Sequence, residues 1–179
     1  MTSQPSELAG YTRLPEPELV FHNRAKARHP LVGLIENGPY GLRFGMPARL
    51  RVALVARAGD LARLRGLVGE LGRRAKPREA QNYYPEYPGF DGLFRVPIAD
   101  LSDRTTVQLP PTLDAHAAAG DKGRLVTELF QAVASLSVVR SEFDVALVYL
   151  PASWAACFEG ENFDFHDYLK AYCAPSNIP

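Results

Sequence analysis

The run RLRVALVARAGDLARLRGLVGELGRRAK, Arg49–Lys76, decides the fold, because its hydrophobic period changes partway along. Val52–Ala56 is apolar at every position, as in a strand covered on both faces. From Gly59 onward the apolar residues Leu61, Leu64, Leu67, Val68 and Leu71 fall at helical spacing, with Arg63, Arg65, Arg73 and Arg74 on the wet side. The pattern predicts a buried strand over 49–57 and an amphipathic helix over 59–76, stopped by Pro77.

The same alternation recurs outward. Phe94–Ile98 and Thr105–Leu109 read as short strands, the first at a sheet edge because Pro97 lacks a donor. Pro110–Gly120 reads as a loop or one loose turn. Lys122–Arg140 is a second long helix, with Leu125, Leu129, Val133 and Leu136 along one face. Asp144–Leu150 is a buried strand, Pro151–Asn162 a loop, and Phe163–Cys173 a terminal helix. That helix has Phe165, Leu169 and Tyr172 as its apolar stripe and Asn162 or Asp164 as its cap. Strands alternating with helices predict an α/β fold: a Rossmann-like three-layer domain with a largely parallel sheet flanked by helices. Residues 1–48 are read as an extended N-terminal arm: a frayed start, a short strand over Glu18–His22, the basic loop NRAKARHP (Asn23–Pro30), and a turn at Glu36–Pro39. Residues 49–179 form the domain.

Composition narrows the function. The chain has 179 residues, 46% of them hydrophobic, which is enough for one core. Its formal net charge is zero, so it lacks the basic excess of a free-standing nucleic-acid binder; nucleic acid must be gripped at a local pocket or shared with another surface. Two cysteines, Cys157 and Cys173, make neither a disulfide framework nor a metal spacing and fit a reduced, cytoplasmic protein. The start MTSQPSELAG lacks a signal core, and no apolar run is long enough to span a bilayer.

Enzyme signatures are weak. Ser153 lies in no Gly-x-Ser-x-Gly elbow, His22 and His29 lack zinc spacing, and Arg57-Ala58-Gly59-Asp60 has too few glycines for a dinucleotide fingerprint. What stands out is His166 and Lys170 on the terminal helix. Four apart, they project from adjacent turns toward one place and suit an anion such as phosphate. Asp164 and Asp167 share the first turn and would repel that anion; by the helical wheel Asp167 is expected to point away from His166. Trp154 and Phe158 in the preceding loop are read as plugs of the core edge or as part of a binding loop. Tyr83, Tyr84 and Tyr87 are read as a docking patch or as buried loop anchors, and Arg24, Lys26 and Arg28 as a solvated cluster or a contact for a strand backbone or partner chain.

The segment VYLPASWAACFEGENFDFHDYLKAYCAPSNIP, Val148–Pro179, resembles the guide-end-binding segment of Argonaute proteins. The shared features are a strand ending in Leu-Pro, a variable loop, a helix with His and then Lys four residues on, and an Ile-Pro sequence. LPEPELVFHN (Leu14–Asn23) and HPLVGLIENGPYG (His29–Gly41) resemble the entry to the MID domain of prokaryotic, especially short, Argonautes. The middle of the chain matches in element order alone. The family's further phosphate ligands, a Gln and a Lys, would lie after Pro179, and its acidic nuclease residues are absent, so the chain is expected to be a MID domain cut before a PIWI domain.

The resemblance implies a binding module in nucleic-acid-guided defence that does no chemistry itself. His166 and Lys170 would contact the 5′-phosphate of a guide RNA or DNA, His166 as donor or as stacking platform for the first base. Ser153 and Trp154 would belong to the first-base specificity loop. The implied partners are the guide, the PIWI domain of the same protein and an effector protein; no cofactor is required, and a Mg2+ ion shared with the guide phosphate is admitted. The rival reading is a protein-interaction module docking an effector or the PIWI part through its sheet edge and tyrosine loop. A small α/β enzyme acting on a phosphorylated metabolite is weaker.

Overall fold

The computed structural model describes residues 17–41, 45–80, 82–158 and 164–179. Its centre is a three-stranded parallel sheet in the order β4-β3-β5, made of β3 (Val52–Arg57), β4 (Thr106–Leu109) and β5 (Val145–Val148). Leu54 pairs with Thr106 on one side and with Leu147 on the other. Side chains alternate along β3, so the unbroken apolar run serves both faces. Val52, Leu54 and Ala56 pack against Leu64 and Val68 of α2 (Ala58–Leu71). Ala53 and Val55 face the larger cluster, built by α4 (Thr112–Ala118), α5 (Lys122–Ala134) and α6 (Phe165–Cys173). Helices cover both faces, giving the three-layer α/β architecture that the alternation predicts.

Several elements depart from the sequence reading. Helix α2 ends at Leu71 rather than Lys76: Gly69 and Gly72 weaken its last turn, and Arg73 folds back to the Glu70 carbonyl at 3.0 Å. Phe94–Ile98 is not a strand. Phe90–Phe94 forms the short α3, Arg95 turns in the left-handed region at φ 61°, and one bridge, Leu50 to Ile98, remains. Pro97 cannot donate, so the ladder cannot lengthen there. Pro110–Gly120 holds a true helix, α4. The second long helix is α-helical only to Ala134; Ser135–Glu142 continues as 3-10 turns broken at Val139.

The N-terminal part is more structured than an arm. β1 (Leu19–Val20) and β2 (Lys26–Ala27) form a small antiparallel pair, and α1 (Pro30–Asn37) follows. Proline opens α1, the His29 ring caps it by accepting from Leu31 and Val32 N–H at 3.2 and 3.4 Å, and Gly38 at φ 75° closes it. α1 packs against α3, and Arg95 donates to the Ile35 carbonyl at 2.8 Å. The first sixteen residues, Asn162 as alternative cap and Phe163 as helix start lie outside the described residues. No helix among the described residues is long and apolar enough to cross a membrane.

Candidate functional site

Helix α6 is set by its cap and by one buried stripe. Asp164 is the N-cap: its Oδ1 accepts from the His166 and Asp167 amides at 2.9 and 3.3 Å, satisfying donors that the first turn leaves unpaired. Phe165 and Cys173 are buried and Leu169 half-buried, so the stripe runs through Cys173 while Tyr172 stays 41% exposed. Phe165 meets Phe158 and Phe130 at 4.2 and 5.8 Å, and Tyr172 stacks on Phe130 at 4.6 Å. These contacts fix the roll of α6 about its axis.

That roll brings the two singled-out residues together. His166 and Lys170 are exposed and line one pocket of about 510 Å³ under α6. Its walls are apolar: Val148 at the end of β5 and Leu150 beyond it, Val133 of α5, Leu169, Cys173 and Ile178. The Lys170 side chain has no ion pair or hydrogen bond among the described residues. Asp167 does not point away: its Oδ1 lies 3.6 Å from His166 Nδ1. Adjacent helix positions diverge by about 100° at the backbone, but both side chains are long enough and exposed enough, 69% and 77%, to swing together. A pair that exposed contributes little.

The usual ligand crevice of such a sheet is occupied by protein groups. β3 leads to β4 on one side and the chain then crosses to β5 on the other, so the carboxyl end of β3 is the switch point. Arg57 stands there, 2.6 Å from Asp60 and 2.8 Å from Asp114. The Trp154 indole N–H donates to Asp114 at 2.9 Å, and the Arg57 guanidinium sits 5.7 Å from the centre of the Trp154 ring. Burial pushes the Asp114 carboxyl up, but hydrogen bonds from Arg57 and Trp154 hold it below its ordinary value. Two carboxylates on one guanidinium leave no unpaired cation there for an anion.

This network decides between the two readings of Trp154 in the loop after β5. Trp154, 1% exposed, is a core anchor rather than a group that touches a first base. Ala152–Cys157 is a 3-10 segment that leaves Ser153 exposed. Nothing in the sequence separated the two tryptophan roles, because the acceptor, Asp114, is forty residues away.

Donor atoms of Asp164, His166 and Asp167 lie within 4.8 Å of one another. This set does not suit Mg2+, which takes oxygen ligands in a near-ideal octahedron: one member is an imidazole, and Asp164 Oδ1 already caps the helix. Cys173 is buried, and burial raises its thiol above the ordinary value, which makes it a poor nucleophile. Compared with known proteins, the chain matches no family model and no curated protein sequence.

Proposed function

We propose that the protein holds the 5′-phosphorylated end of a nucleic-acid strand, as the MID-like module of a prokaryotic Argonaute. The observation that carries this reading is the pairing of His166 and Lys170, one helical turn apart, at the rim of a single pocket beside the parallel sheet. Lys170 supplies the charge. His166 supplies a hydrogen bond or a ring face, and the apolar wall below suits a base better than water does. Guide RNA or DNA is the ligand, with a PIWI domain and an effector protein as partners in nucleic-acid-guided defence.

Titration of matched oligonucleotides carrying a 5′-phosphate or a 5′-hydroxyl tests it. The phosphorylated strand is expected to bind more tightly. His166→Ala with Lys170→Ala is expected to erase the difference, at a cost of roughly 2–5 kcal/mol, with an unchanged circular dichroism spectrum. Equal affinity of the native protein for both ends would remove the reading.

A second reading has its own observation. Among the described residues β5 pairs with a strand on one side only, and on its other side the Ala146 N–H is met by the Pro179 carbonyl at 2.9 Å beside the apolar groove. An extended polypeptide of a partner, laid along that edge, would also fill the pocket. A partner pulled down from nuclease-treated extract, with no measurable oligonucleotide binding, would favour this reading.

A further inference from the structure

A group of unpaired cations and two exposed rings stands outside the α6 pocket. Tyr83 and Tyr84 are 58% and 48% exposed, and their rings meet edge to face at 5.0 Å. Both lean on the ring of His29, at 4.6 and 5.9 Å, which capping of α1 holds in place. Each tyrosine amide reaches the Ala80 carbonyl, at 2.8 and 3.0 Å, so the rings stand on a tight turn. An antiparallel bridge between Ala75 and Tyr87 closes the loop, and the Tyr87 hydroxyl donates to the Leu71 carbonyl at 2.8 Å. The loop is thus clamped at its base, with two aromatic faces at its tip.

Cations flank those rings on both neighbouring segments. Arg74, Lys76 and Arg78 lie on the near limb of the loop, and Arg24 and Arg28 on the β1–β2 segment that ends at His29. All five are exposed, and none makes an ion pair or side-chain hydrogen bond among the described residues. The other cations nearby, Arg73 and Lys26, are paired with Glu70 and Glu18. The acids of the loop, Glu79 and Glu86, are fewer than its cations. In a chain of zero net charge this is a marked local excess.

We propose that this surface binds single-stranded nucleic acid without regard to sequence: Tyr83 and Tyr84 stack on bases, and the flanking arginines and Lys76 meet phosphodiesters. Exposed aromatic faces among unpaired cations are what such binding requires, since every base has a π-face and every nucleotide a charge. A protein partner would need its own cluster of acids to match five neighbouring cations, whereas every nucleic-acid strand brings that charge. The inference does not rest on the reading of His166 and Lys170, and a strand that lacks a 5′-phosphate separates the two.

The experiment follows fluorescence anisotropy of a 3′-labelled, mixed-sequence strand of roughly twenty nucleotides with a 5′-hydroxyl, at about 50 and about 200 mM salt. The native protein is expected to bind it, more weakly at the higher salt. Tyr83→Ala with Tyr84→Ala is expected to weaken binding roughly tenfold or more, whereas the double change to Phe, which keeps the rings, stays within about twofold. Arg74→Glu, Lys76→Glu and Arg78→Glu together leave His29 and its capped helix untouched; they are expected to weaken binding and flatten its salt dependence. No binding by the native protein, or binding indifferent to both the alanine pair and the charge reversal, overturns the proposal. Binding of 5′-phosphate and 5′-hydroxyl strands with equal affinity, lost in the tyrosine variant, upholds it while removing the α6 reading.

Discussion

Phe21 occupies the space that a side chain on Gly33 would need. A Cβ built there would lie 2.2 Å from the Phe21 ring, which is itself buried at 5% exposure and lacks an open side to move into. Gly33→Ala is therefore expected to destabilise the N-terminal segment by roughly 1–3 kcal/mol, read as a shift in the urea midpoint. At the same scale, Cys173 owes its inertness to burial. With the thiol raised above its ordinary value, the native protein is expected to resist alkylation near pH 8 and to react at once when unfolded. Rapid reaction of the folded protein would place Cys173 nearer solvent than its 8% exposure says.

At the scale of elements, α6 depends on one carboxylate. Asp164→Ala removes the acceptor for two amides of the first turn and is expected to cost about 1 kcal/mol, while Asp164→Asn keeps most of it. Thermal melts of the two variants check this. The cap was legible because its partners are two and three residues away, and the α2, α5 and α6 stripes were legible because period is a local property. The site followed from the same locality: His166 and Lys170 share a face on any regular helix. What stayed hidden depends on distant partners. α1 needed the His29 ring to accept from the backbone, a role that composition does not advertise. Residues 90–98 took their shape from Leu50, from Ile35 and from the left-handed turn at Arg95. The choice between the two readings of Trp154 turned on such a partner, Asp114, whereas Asp167 was misjudged because its exposed side chain reaches across the helical offset to its neighbour His166.

For the whole molecule, carboxylates join parts that sequence holds far apart. Asp144 receives Arg51 at 2.7 Å, tying the start of β5 to the start of β3. Glu128 accepts from Thr112 at 2.7 Å and meets His116 at 3.0 Å, tying α5 to α4. The Arg51 hydrogen bond holds Asp144 below its ordinary value of 3.8, and the Thr112 hydrogen bond, with that of His116, holds Glu128 below 4.5. A depressed acid stabilises the fold fully above its unfolded value and loses that contribution as pH falls through the folded one. Denaturant midpoints are thus expected to stay level from pH 7 to about pH 5 on account of these acids and to drop below about pH 4, the unfolded range of carboxylates. Asp144→Asn should flatten part of that drop; an unchanged acid limb would show that Arg51–Asp144 carries no such coupling.

The one-sided pairing of β5 has a consequence in time. In a parallel ladder successive amides face alternate neighbours, so Leu147 and Tyr149 turn their N–H groups inward to β3, the latter reaching the Val55 carbonyl at 2.9 Å. Val148 turns its own toward the groove. In deuterated water these adjacent amides should exchange as a comb, slow at 147 and 149 and fast at 148. Whatever lodges in the groove along that edge should reveal itself by slowing the fast tooth.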